Sequence, residues 1–75
     1  MLRIFKKSFY IPYVDGTTYP TVEKAQQAIV EYCENNGHSY TFTSNDEVII
    51  DGIAYDICRG YHFACRGYGI KCREK

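Results

Sequence analysis

The chain has no tryptophan, one methionine, two prolines and no excess of either charge, with nine Lys and Arg against nine Asp and Glu in 75 residues. It also lacks long apolar runs. Stretches such as 48–50 are only a few residues long, far short of the roughly 18–20 that cross a bilayer. Disorder goes with low hydrophobicity and high net charge, so a neutral chain with 45% hydrophobic residues is expected to fold. A secretory leader needs an apolar segment of about 7–15 residues after its basic start, and none follows Arg3, Lys6 and Lys7. The expectation is a cytoplasmic protein whose Cys33, Cys58, Cys65 and Cys72 remain free thiols. At this length a single domain, 1–75, is expected, with a core that supplies only about 3–5 kcal/mol.

The periodicity of the chain defines its elements. Arg3 to Ile11 is rich in Ile, Phe and Tyr, with Phe5, Lys7, Phe9 and Ile11 on one side, and reads as a strand that ends at Pro12. Asp15-Gly16 marks a turn. Thr21 is a good N-cap, and Glu23 suits the positive end of a helix dipole. From Val22 the apolar residues recur at 25, 29, 32 and 33, the stripe of an amphipathic helix, and Gly37 is placed to stop it. The period then changes to two: Tyr40 and Phe42 alternate with Thr41 and Thr43. Glu47 to Ile50 and Ile53 to Cys58 flank Asp51-Gly52, a type I′ hairpin signal. Tyr68 to Arg73 alternates again as a last strand, and 60–67 is short strand or loop. The fold class expected is α+β, one amphipathic helix on a mainly antiparallel sheet, in the order β-α-β-β-β with room for an extra short strand at 61–65.

Zero net charge conceals segregation. Residues 1–7 carry +3 from Arg3, Lys6 and Lys7; residues 8–58 carry Lys24 against eight acids, hence −7; residues 59–75 carry five bases against Glu74, hence +4. If the first and last strands are neighbours, Lys6, Lys7, Arg59, Arg66, Lys71 and Arg73 form one basic patch interleaved with Tyr61, Phe63 and Tyr68. Against that stands a simpler reading, in which alternate sheet residues are charged because they are wet. The tail also repeats itself, Cys58-Arg59-Gly60-Tyr61 being followed by Cys65-Arg66-Gly67-Tyr68. Two units of seven are too few for a repeat protein.

Motifs for chemistry are sparse. Arg59-Gly60-Tyr61-His62-Phe63 begins like the RNA-recognition signature, but His62 replaces its small residue and Arg66 its closing aromatic. The four cysteines with His38 and His62 lack the close ligand pairs of a structural zinc site. Cys58 or Cys65 beside His62 in sequence supplies no evidence of a lowered thiol pKa. The glycines are dispersed singly, so no phosphate loop is present. No catalytic, cofactor or metal residue is therefore expected.

Several segments taken together resemble a known family: Lys6-Lys7-Ser8-Phe9-Tyr10-Ile11-Pro12-Tyr13, Asp15-Gly16, Tyr19-Pro20, the helix end Glu31-Tyr32-Cys33-Glu34-Asn35-Asn36-Gly37, Asp51-Gly52 with Tyr55, and Cys72-Arg73-Glu74. The family is an uncharacterised group of small Firmicute proteins known as a domain of unknown function. The resemblance runs over nearly the whole chain and implies a bacterial cytosolic origin with phage or mobile-element relatives. It transfers no catalytic residue. Cys58 to Gly67 departs from the family, being longer and richer in cysteine and aromatics.

Eight tyrosines are more than so small a core easily satisfies, and Tyr is enriched at interfaces. The leading expectation is a non-enzymatic intracellular protein-interaction module, with self-association its simplest form, acting through Arg59, Tyr61, His62, Phe63, Arg66, Tyr68, Lys71 and Arg73. Two alternatives stay open. One is weak single-stranded nucleic-acid or phosphate binding by the same basic aromatic segment; the other is a thiol redox or metal function.

Overall fold

A computed structural model describes residues 7–13, 17–63 and 66–75. The expected Asp15-Gly16 turn, the first strand before Lys7, and Cys65 lie outside the described residues. The elements run β1 (Ser8–Ile11), α1 (Val22–Asn35), β2 (Tyr40–Ser44), β3 (Glu47–Ile50), β4 (Ile53–His62) and β5 (Gly67–Glu74). The α+β class stands, with five strands in the order β-α-β-β-β-β. The short strand expected at 61–65 is not a separate element among the described residues: Tyr61 and His62 prolong β4, and β5 begins at Gly67.

Local chemistry accounts for the helix. The Thr21 hydroxyl accepts from the Lys24 amide at 3.1 Å, satisfying one of the unpaired N–H groups of the first turn. Ala25, Ile29 and Cys33 form the buried stripe, and Gly37, at φ 74°, leads the chain away in the left-handed region that glycine enters without penalty. At the β3–β4 turn Asp51 and Gly52 both have positive φ, 51° and 83°, as a type I′ hairpin requires.

The sheet order is β1-β5-β4-β3-β2, antiparallel throughout, so the first and last strands are neighbours and β1 and β2 are the edges. One face is covered by α1. Its rows include Phe42–Val48–Tyr55 and Phe9–Cys72–Ile57, and the buried core consists of Ile11, Ala25, Ile29, Cys33, Val48, Ile50, Tyr55, Ile57, Ile70 and Cys72. The opposite face carries Ser8, Tyr10, Cys58, His62, Lys71 and Arg73 and has no helix over it. Among the described residues no helix is long and apolar enough to cross a membrane.

The two middle strands are longer than their neighbours. β3 pairs only with Ile53–Asp56 of β4, and β1 only with Ile70–Arg73 of β5. Beyond those limits, among the described residues, Gly60–His62 and Gly67–Gly69 pair solely with each other, making a two-stranded arm. The molecule is accordingly drawn out to 42 Å along one axis against 24 and 22 Å across the others.

Candidate functional site

The arm bears most of the residues singled out in the sequence, and the register divides them. Tyr61 faces Tyr68 and Arg59 faces Ile70 across the pair, whereas Cys58 faces Lys71. Adjacent residues point to opposite faces of a strand. Arg59, Tyr61 and Tyr68 thus share the helix-side face; His62, Lys71 and Arg73 lie on the other; Phe63 and Arg66 sit at the tip. The single basic patch that neighbouring first and last strands would allow does not form among the described residues, in keeping with the simpler reading of wet sheet positions. Lys6 lies outside them.

On the helix-side face the aromatics form a chain. Tyr19 and Tyr68 meet at 5.8 Å between ring centroids, Tyr68 and Tyr61 at 6.0 Å, and Tyr61 and Phe63 at 5.9 Å, all edge-on, the arrangement the aromatic quadrupole favours. Tyr68 is half-buried in this chain, whereas Tyr19, Tyr61 and Phe63 are exposed, Phe63 most of all at 90%. Tyr19 was missed by the sequence reading because it lies 40 residues from its partner: its hydroxyl donates to the Arg59 carbonyl at 3.2 Å.

Arg59 is a strut rather than a free cation. Its Nη1 donates to the Pro20 carbonyl at 3.1 Å, its Nη2 lies 3.5 Å from Asp46 Oδ1, and its guanidinium carbon stands 5.8 Å from the centre of the Tyr19 ring. These contacts tie the loop before α1 to the root of the arm and leave little of that charge for a ligand.

The opposite face is polar and partly self-paired. Lys71 Nζ stands 5.6 Å from the centre of the Tyr10 ring, and Tyr10 meets the His62 ring edge-on at 5.4 Å. Lys75 bridges Glu47 at 3.2 Å and Asp56 at 3.6 Å. Lys71 and Arg73 therefore lie on the side of the sheet away from Tyr61 and Tyr68, and Arg59, which shares their face, is engaged internally, an arrangement unlike the interleaved surface that binds single strands.

Cys33, Cys58 and Cys72 are free thiols. Burial, with smaller contributions from Cys33 and Cys58, pushes the Cys72 thiol up to about 12; burial likewise raises Cys33. Both act as small apolar core residues, since the thiolate is the reactive form. Among the described residues no three His, Cys, Asp or Glu side chains converge as a metal site would need.

A second site, at the other end of the sheet, was not anticipated as a unit. His38 Nδ1 donates to Asp51 Oδ2 at 2.6 Å, and Asp51 Oδ1 accepts from the Ser39 amide at 2.9 Å and the Ser39 hydroxyl at 3.3 Å. Beside it is a cavity of about 360 Å³ lined by Lys7, Ser8, Phe9, Tyr32, His38, Ile50, Asp51, Ile53 and Tyr55. The sequence marks Asp51 as a turn residue and weighs His38 only as a zinc ligand without a close pair; the antiparallel return of β2 against β3 brings them together, with the Asp51 amide donating to the Ser39 carbonyl at 3.1 Å.

The Ser39 amide first, and the His38 ring second, hold the Asp51 carboxyl below its ordinary value. A depressed carboxyl contributes stability that is complete above its unfolded pKa, near 4, and that disappears as the pH falls through the folded value. Asp51→Asn keeps the left-handed turn accessible but cannot ionise. Its denaturation midpoint is expected to fall below wild type at neutral pH, and the difference should shrink steadily below about pH 4; urea titrations across that range check the sign.

Searches against protein-family models, curated proteins and solved structures found no match. The site's own geometry is what bears on function.

Proposed function

We propose that the chain is a small, non-enzymatic, intracellular protein-interaction module that docks through the aromatic end of the β4–β5 arm, with a second copy of itself as the first partner. The observation that carries this reading is the exposure of Tyr61 and Phe63 on an arm whose two strands, among the described residues, pair only with each other. Contiguous exposed aromatics rimmed by polar residues mark interaction surfaces, and tyrosine buries a large area there at little rotamer cost. The chain Tyr19–Tyr68–Tyr61–Phe63 also offers a row of edge-on rings that a twofold partner can extend in kind.

Sedimentation velocity tests the proposal. Wild type is expected to self-associate at about 10–100 µM, an affinity modest enough for a surface of this size. Tyr61→Ser with Phe63→Ser should return it to monomer, with its melting temperature within about 2 °C of wild type because both side chains are exposed. A wild type that stays monomeric throughout that range, or association that survives the double change, overturns the reading.

A further inference from the structure

The cavity beside His38 and Asp51 has a composition independent of the arm. Four rings line it. Phe9 and Tyr32 stack at 5.6 Å with 26° between planes, Tyr32 and His38 at 5.9 Å with 21°, while Tyr55 stands across Phe9 at 5.3 Å and 78°. Three near-parallel rings with a fourth set across them, around about 360 Å³, make a concave aromatic surface, and Ile50 and Ile53 complete its apolar wall.

The charges around it are unequal. Asp51 lines the cavity as an ionised carboxylate bonded to His38 and Ser39. Glu74, opposite Tyr55 in register, accepts the Lys7 amide at 2.9 Å, and Glu34 accepts the Tyr40 hydroxyl at 3.0 Å where α1 ends. Among the described residues Asp51 is the one carboxylate and Lys7 the one Lys or Arg that line the cavity, with Glu34 and Glu74 just outside its lining. The Tyr55 hydroxyl, which lines the cavity, is pushed up first by burial and then by Glu74, with Asp51 contributing less. Ring faces carry negative potential and attract cations, most strongly those with weak hydration shells.

We propose that this cavity binds a small organic cation of the alkylated-ammonium class. The rings receive the methyl groups, and Asp51 with its neighbouring carboxylates supplies the countercharge. A small anion meets the wrong field, and a metal ion meets too few ligands. His38 has a positioning part: its bond to Asp51 holds the carboxylate at the rim, and its ring extends the stack begun by Phe9 and Tyr32.

The test uses the full chain, with choline chloride as probe, its neutral tert-butyl isostere 3,3-dimethylbutan-1-ol as the matched control and sodium chloride to balance ionic strength. Amide chemical shifts of His38, Asp51, Ile53 and Tyr55 report binding. Choline is expected to shift them saturably with a Kd of order 1–10 mM, about tenfold tighter than the isostere. Tyr32→Leu should abolish saturation. Lys7→Gln, an exposed change that leaves the core intact, should tighten choline binding about two- to threefold at low salt by removing the opposing charge. Equal binding of choline and its isostere, no saturation up to about 100 mM, or weaker binding by Lys7→Gln overturns the proposal. None of these outcomes depends on whether the arm mediates self-association.

Discussion

Ile70→Ala is expected to leave the chain largely unfolded at 25 °C. Ile70 is 0% exposed and sits in β5 between Ile11 of β1 and Arg59 of β4, beneath α1. Truncating a buried Ile to Ala costs about 2–5 kcal/mol, because the transfer energy of three carbons is lost and a cavity remains. A domain this small has only about 3–5 kcal/mol in all, so the substitution removes most or all of it. Far-UV circular dichroism should show loss of the helical signal and of the cooperative melt. Phe63→Ala is the matched control: an aromatic of larger volume is removed, yet at 90% exposure it contributes almost nothing to the core, and the midpoint should move by less than about 0.5 kcal/mol. Comparable losses in both variants would mean that the arm is packed in solution.

Arg59→Ala should be the second most damaging change, and it separates two roles for one residue. As a contact residue on a basic surface, Arg59 would cost binding and little stability when removed. As a strut it holds Pro20, Asp46 and the Tyr19 ring at once, and deleting a charge-assisted, partly buried donor costs about 1.5–3 kcal/mol. The urea midpoint is expected to fall accordingly. Arg59→Lys should recover less than half of the loss, because an ammonium is a point donor and cannot span a carbonyl and a carboxylate while lying over a ring. Asp46→Asn should cost under about 1 kcal/mol, since that carboxylate is two-thirds exposed. A stable Arg59→Ala with unchanged folding would return the residue to the surface reading.

Much of the fold is legible in short-range patterns. Thr21, the apolar stripe from Val22 to Cys33, and Gly37 delimit α1, because capping and periodicity act within one or two helical turns. Asp51-Gly52 specifies its own turn through two positive φ angles. The alternation of Tyr55 and Ile57, and of Ile70 and Cys72, tells which residues are buried. What alternation cannot tell is which face of β5 lies beside which face of β4. That parity depends on how many residues the β4–β5 turn uses, and a one-residue slip moves a whole strand's side chains to the other side.

The two sites divide along the same line. Clustering in sequence singled out Tyr61, Phe63 and Tyr68, whose rings meet in the structure, but it joined them to Lys71 and Arg73, which lie on the other face, and to Arg59, whose side chain is engaged internally. Tyr19 and Pro20 reach the arm from about 40 residues away. The four rings of the cavity come from β1, α1, the loop after it and β4. By itself the sequence determined the α+β class, the helix with its caps, the hairpin turn and the buried stripes of α1, β4 and β5, all of which follow from propensity and period over a few residues. Tertiary structure alone decided the register of β4 on β5, the internal contacts of Arg59, and the meeting of His38 with Asp51 beside an aromatic cavity. Each of those depends on contacts between residues distant in the chain, where long-range pairing, and not local propensity, sets which groups share a surface.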